Sequence, residues 1–137
     1  MLLKLSKDDN KYFDQLKTKF NLTLQAEFEN NPFYALFVFF KDSSIIAYLS
    51  YQDLYDRYEI INFEVIEEER NKGIGSQLLT ALIEEAKFKQ KKNITLEVKI
   101  DNPAISLYES FGFIKRAKRL AYYNGIDGLL MEKELIE

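Results

Sequence analysis

Two apolar alternating stretches bracket a glycine-bearing loop and a long amphipathic helix in the middle of this chain, and that order leaves few folds open. Tyr58 to Ile66 predicts a strand in which Ile61, Phe63 and Val65 share a face. Gly73 to about Lys89 predicts a helix whose stripe is Ile74, Leu78, Leu79, Leu82, Ile83 and Ala86. Asn93 to Ile100 predicts a second strand: Ile94, Leu96, Val98 and Ile100 face one way, and Thr95, Glu97 and Lys99 the other. A strand–helix–strand unit of this kind has to cross over one face of a sheet.

The flanking segments supply the rest of that sheet. Leu2 to Leu5 reads as a short strand, and Ser6 and Asp8 are candidate N-caps for a helix from about Asp9 to Phe20. A helical turn follows over Leu24 to Phe28. Phe33 to Phe40 and Ile45 to Tyr51 form a hairpin around Lys41-Asp42-Ser43-Ser44, and the aromatic run of its first strand reads as core. Asn102 caps a short helix that Pro103 opens and that runs to Ser110. Phe113 to Ala121 and Asp127 to Glu134 close the chain as a hairpin. The order is β-α-α-β-β-β-α-β-α-β-β, an α/β (α+β) arrangement: a mixed, mostly antiparallel sheet with helices on both faces, in a single domain over residues 1–137.

Composition narrows the chemistry. The chain has neither cysteine nor histidine, which removes disulfides, thiolate nucleophiles, the usual general base and the commonest metal ligand. No metal is expected. Catalysis has to rest on carboxylates, phenols, amines, hydroxyls or backbone groups. Nineteen basic residues against 22 acidic ones give a net charge of −3, so nucleic acid and anionic membranes are not expected partners. The basic cluster Lys115-Arg116-Lys118-Arg119 is the one feature pointing the other way. No apolar run spans a bilayer, and the Met1 to Leu5 start is too short for a signal peptide, so the expected location is cytoplasmic.

Between the first strand of the crossover and its helix lies Arg70-Asn71-Lys72-Gly73-Ile74-Gly75. Two glycines let the backbone turn tightly and approach a ligand. The helix N-terminus then offers unpaired N–H groups and a positive dipole end, with Arg70 and Lys72 adding charge. This suits a pyrophosphate, although a glycine-bearing loop with two solvated cations has the same spelling. It is neither a Walker loop nor the Rossmann pattern.

Strand, Arg-x-x-Gly-x-Gly, amphipathic helix, strand and then Asn102-Pro103-Ala104-Ile105-Ser106-Leu107-Tyr108-Glu109-Ser110-Phe111-Gly112-Phe113 resembles the GNAT superfamily of acetyltransferases, over roughly Tyr58 to Leu135. The resemblance implies a GNAT-like fold and acetyl-CoA as the donor. Backbone N–H groups from Lys72 to Ser76 (Lys72, Gly73, Ile74, Gly75, Ser76), with Arg70 and Asn71 in the same loop, would bind the pyrophosphate. The strand carrying Phe63 and Val65 would offer backbone groups to the pantetheine arm, and Asn102 would contact it. The thioester would lie where that strand and the Ile94 to Ile100 strand splay apart.

Within the superfamily the chain is similar to the RimI-like ribosomal-protein alanine N-acetyltransferases. That similarity implies Glu97 as the base, Tyr108 as the acid for the departing thiolate, and Tyr122-Tyr123 beside the acceptor. Glu59 competes as base, at the position histone-type members use. Each residue also has a plain reading: Glu97 and Glu59 as solvated strand residues paired with Lys99 or Arg57, Tyr108 as a core aromatic, and the tyrosine pair as a hairpin cluster. The Glu67-Glu68-Glu69 run reads as a charged loop. Direct transfer needs no covalent nucleophile, which suits this composition. An α-amine with pKa near ~8 is partly neutral already, against ~10.4 for lysine, and a phenol near ~10 can protonate a thiolate of pKa ~8.5. The expected acceptor is a protein N-terminal α-amine, such as that of a ribosomal protein. A lysine side chain, a small amine or a non-catalytic acyl-CoA-binding module stay open, as do monomer and homodimer. The chain lacks the Pro-Trp segment usual in RimI-like enzymes and has a short loop between Tyr123 and Asp127.

Overall fold

The periodicities above become eleven elements in the computed structural model, which describes residues 1–135. They are β1 (Leu2–Leu5), α1 (Phe13–Phe20), α2 (Leu24–Asn30), β2 (Tyr34–Lys41), β3 (Ser44–Asp53), β4 (Arg57–Val65), α3 (Ile74–Phe88), β5 (Asn93–Lys99), α4 (Ile105–Ser110), β6 (Ile114–Tyr123) and β7 (Ile126–Glu134). One seven-stranded sheet runs β1-β2-β3-β4-β5-β7-β6. Every neighbouring pair is antiparallel except β4 and β5, which the α3 crossover makes parallel. The expected order and mixed sheet are both present.

Two cores lie on opposite faces. The stripe of α3 packs on Leu49, Tyr51, Tyr58, Ile60, Ile94, Leu96 and Met131 from the central strands. On the other face, Leu16 of α1 and Leu24 of α2 close over Leu36, Val38, Phe40 and Tyr48. No residue of β5, β6 or β7 joins this second core, so α1 and α2 leave that half of the sheet face open.

Four local expectations change. The first helix starts at Phe13 after a 3₁₀ turn over Asn10–Tyr12, because the Asp9 carboxylate accepts from Ser6 N at 2.7 Å and closes a loop where a cap was expected. Neither Ser6 nor Asp8 caps α1. Likewise α4 begins at Ile105, two residues later than expected. Asn102 Oδ1 accepts from Ala104 N at 2.8 Å, which makes a turn ahead of the helix. β5 stops at Lys99 and leaves Ile100 exposed. Ile61 does not share a face with Phe63 and Val65. Ser50 of β3 pairs with Asn62 and Tyr51 with Ile60, so Ile61 is an extra residue, a β-bulge. The bulge resets the alternation: Tyr58, Ile60, Phe63 and Val65 pack toward α3, and Ile61 packs on the other side.

Ser50 holds this bulge. It is fully buried, and its hydroxyl accepts from Asn62 N at 3.2 Å. Ser50→Ala leaves that N–H without its partner. The expected cost is about 1–3 kcal/mol in chemical denaturation, together with weaker binding in the cavity beside the bulge. Unchanged stability would show that the bulge holds without Ser50. No helix among the described residues is long and apolar enough to cross a membrane.

Candidate active site

The loop from β4 to α3 builds a cradle of amides. Asn71 (φ 64°) and Gly73 (φ 82°) both take the left-handed conformation, turning the chain sharply into the helix. None of the amides from Asn71 to Ser76 donates to a backbone carbonyl among the described residues; the first to do so is Gln77 N, to Gly73 O at 3.1 Å. Successive free N–H groups at the positive end of a fifteen-residue helix make an anion site. A methyl group on Gly73 would meet nothing within 4 Å, so only the left-handed backbone demands glycine there. On Gly75 a Cβ would lie 3.1 Å from Phe63 Cζ and 3.4 Å from Leu107 Cδ2. Glycine there lets α4 and the Phe63 ring close against α3.

The two cations of the motif are occupied differently. Arg70 Nε donates to Val65 O at 2.9 Å, which fixes the loop to the end of β4 and leaves the rest of the guanidinium at the cradle. Lys72 Nζ lies 3.1 Å from Glu69, which also pairs with Lys41 at 3.1 Å. These two lysines, Lys41 first, hold the Glu69 carboxyl below the usual carboxylate range. Glu69 is therefore a bridge in the loop, and the side chain of Lys72 does not line the cavity.

That cavity, about 520 Å³, runs from the cradle along Phe63 and Val65 to Asn102 and Leu107. It shares Phe63, Asn102 and Ala104 with a second cavity of about 440 Å³ between β4 and β5. The second exists because β4 and β5 pair only from Arg57–Asn93 to Ile60–Leu96. Beyond the bulge they diverge.

Glu97, Tyr108, Asn102 and Tyr123 all line this gap. Glu97 points to the open sheet face, one-fifth exposed, with Oε2 3.2 Å from Arg119 Nε. Its partner is thus neither Lys99 nor Arg57. Glu59 lies outside the gap lining, and its Oε1 accepts from Gln52 Nε2 at 2.9 Å. Among the described residues Glu59 likewise pairs with neither Lys99 nor Arg57. Tyr108 is a core aromatic that also borders the gap. Its ring is 2% exposed, packed between Phe63 and Phe113 with centroids 6.0 and 5.6 Å away, yet it borders the gap. Burial raises its phenol well above the ordinary value near 10.

The tyrosine pair lies in β6 itself, two residues beyond the expected end of that strand. The rings meet edge to face at 5.0 Å. Tyr123 enters the gap and packs over Gly128, where an added Cβ would come within 3.1 Å of its ring and 3.6 Å of Glu97 Oε1. Desolvation, then the charge of Glu97, raise its phenol. Tyr122 stays outside, exposed, with the Arg119 guanidinium 4.8 Å from its ring centre. Sequence reading missed Arg119, Gly128 and Asn62 as parts of the site. Arg119 stood in a basic cluster read only for nucleic acid, and a bulged strand hides which of its side chains share a face.

The family model described as "Acetyltransferase (GNAT) family" matches residues 2–113. A provisionally named ribosomal protein bS18-alanine N-acetyltransferase of Bacillus subtilis is 32% identical over 108 residues, covering 77% of this chain and 72% of its own. An N-alpha-acetyltransferase of Saccharolobus solfataricus is 33% identical over 138 residues, covering 78% and 80%. The solved ribosomal-protein-S18-alanine N-acetyltransferase of Escherichia coli shares the fold, with TM-score 0.84 and 24% identity over 100% of this chain and 94% of that one.

Proposed function

The chain belongs to the GNAT family of acetyltransferases, and on that premise we propose that it transfers acetyl from acetyl-CoA to the α-amine of a protein N-terminus, with a ribosomal protein as the specific candidate. The observation that carries the reading is the gap beyond Ile60 and Leu96, where Glu97 and Tyr108 face one cavity that shares Phe63, Asn102 and Ala104 with the cavity at the amide cradle. The names of the two sequence relatives support the α-amine as acceptor.

The cradle fits a pyrophosphate: it offers consecutive amides, a left-handed Gly73 with open space beside it, and Arg70 at its edge. Acetyl-CoA held there supplies an activated thioester acetyl group. The remaining work falls to this chain's residues. Asn71 to Ser76 bind the diphosphate through N–H groups, and beyond Ile60 the edge of β4 that β5 leaves presents backbone groups along the gap at Phe63 and Val65, apart from the Val65 carbonyl that Arg70 engages. Glu97 takes a proton from the incoming amine, directly or through a water, at its Oε1, which no partner engages among the described residues. Tyr108 holds a proton at the opposite wall and gives it up to the departing sulfur. Its raised pKa makes that donation effective only as negative charge develops on the sulfur, so donor and leaving group must share the proton in the transition state.

The test follows free thiol release from acetyl-CoA with three acceptors: a peptide with a free N-terminal alanine, a lysine peptide with a blocked N-terminus, and a polyamine. Turnover of the alanine peptide alone is the expected result. Turnover of the lysine peptide or the polyamine instead would replace the acceptor. Tight coenzyme A binding with no turnover would replace the enzymatic reading by a binding module.

A further inference from the structure

β6 and β7 disagree about their register, and the disagreement is resolved beside Glu97. The turn between them is Asn124-Gly125, both left-handed (φ 47° and 90°), directly flanked by the pair Tyr123–Ile126. This is a two-residue hairpin turn of the kind Asn-Gly favours, and it fixes the register from the loop end. Farther along, Arg119 pairs with Gly128. From Arg119 to Tyr123 is four steps on β6, but from Gly128 to Ile126 is two on β7. β6 thus carries two surplus residues.

They are absorbed at Ala121. Its φ is 53°, a conformation that costs an alanine about 1 kcal/mol, in a segment where no glycine stands. Its amide donates to Asp127 Oδ1 at 2.8 Å. Asp127 is itself anchored, since its carbonyl accepts from Ile100 N at 2.9 Å, at the end of β5. Without the kink, a regular ladder would pair Ala121 with Ile126 and push Tyr122 and Tyr123 into the turn. With it, Tyr123 lies over Gly128 in the gap, and Arg119 is held between the Tyr122 ring and the Glu97 carboxylate.

We propose that Asp127 is a positioning residue for the acceptor half of the site: by accepting from the Ala121 amide it holds the left-handed kink that places Tyr123 in the gap and Arg119 on Glu97. This deepens the reading above and rests on Glu97 and Tyr123 facing the acceptor. The cradle is built on other strands, so the effect is confined to one substrate. The Ala121 amide is near solvent and can be hydrated when its partner is lost, so the fold survives the change.

Asp127→Ala, Asp127→Asn and the double variant Asp127→Ala with Ala121→Gly separate the possibilities. Asparagine keeps an Oδ1 acceptor. Glycine adopts the kink at no steric cost and restores it without the carboxylate. Asp127→Ala is expected to lower kcat/KM for the acceptor about tenfold or more and to leave the Kd of coenzyme A within twofold of wild type. Asp127→Asn is expected to stay within about threefold of wild type, and the double variant to recover most of the loss. An acceptor kcat/KM unchanged in Asp127→Ala, equal losses for acceptor and coenzyme A, or no recovery in the double variant would each overturn the proposal. The acceptor used is whichever amine the wild-type enzyme acetylates. A failed α-amine assignment therefore changes the substrate in the assay and leaves the comparison among variants intact.

Discussion

Replacing Glu97 with glutamine is expected to lower kcat/KM for the acceptor amine by about 10²–10⁴-fold, the range for loss of a positioned general base, and to leave the Kd of coenzyme A unchanged. Glutamine keeps the shape and an oxygen toward Arg119 but cannot take a proton. Among the described residues, Glu97 is the one carboxylate lining the gap between β4 and β5. Glu59→Gln is the matched control. It changes a carboxylate on the neighbouring strand that already accepts from Gln52 and lies outside the gap lining, so acetylation is expected within about threefold of wild type. Steady-state thiol release with both substrates varied, beside direct coenzyme A binding, makes the measurement. Should Glu59→Gln carry the loss and Glu97→Gln not, the assignment of the base reverses. A Glu97→Gln loss confined to coenzyme A affinity would make Glu97 a wall of the donor site.

The contrast between these two glutamates shows what sequence could and could not supply. Glu97 stands on the polar side of its strand, whereas alternation with Ile61, Phe63 and Val65 puts Glu59 on the apolar side of its own, and the resemblance offers each as the base. Their fates diverge because of a bulge at Ile61 that no residue pattern announces: Ile61, Phe63 and Val65 alternate faultlessly in the sequence and sit on two faces in the fold. The features with a strong local cause were legible. The α3 stripe, the glycine loop before it and the Ile94-Leu96-Val98 face each follow from one period or one backbone requirement. Arg119 was not legible, because its place on Glu97 depends on a kink at a non-glycine residue and on an aspartate six positions later. The start of α1 was misplaced for a related reason: Ser6 and Asp9 spend their hydrogen bonds on each other.

Raising the pH from about 10 to about 12 is expected to unfold the protein. Five buried phenols are pushed above the ordinary value near 10, in every case chiefly by burial: Tyr34 to about 12, and Tyr48, Tyr51, Tyr58 and Tyr108 beyond it. Tyr51 also donates to Glu85 Oε2 at 2.6 Å, which holds its proton further. The sign follows from the proton count. Above pH 10 the unfolded chain releases protons that the folded chain retains, so stability falls as pH rises, starting near 10 and continuing to the folded values. Each such phenol withdraws up to about 1.4 kcal/mol per pH unit. Five acting together withdraw at most about 14 kcal/mol over two units, comparable to a typical 5–15 kcal/mol of total stability. The chain has nine tyrosines and no tryptophan, so phenolate absorbance reports the event directly, and far-ultraviolet circular dichroism should change with it in one cooperative step. Tyr48→Phe removes one of these groups without removing a hydrogen bond and should move the midpoint to higher pH. Gradual ionisation of all nine phenols near 10 with the fold intact would show that the rings are wetter than their packing implies. The same burial bears on catalysis: Tyr108 keeps its proton up to the pH at which the fold is lost. Any fall in rate on the alkaline side below that point then belongs to another group.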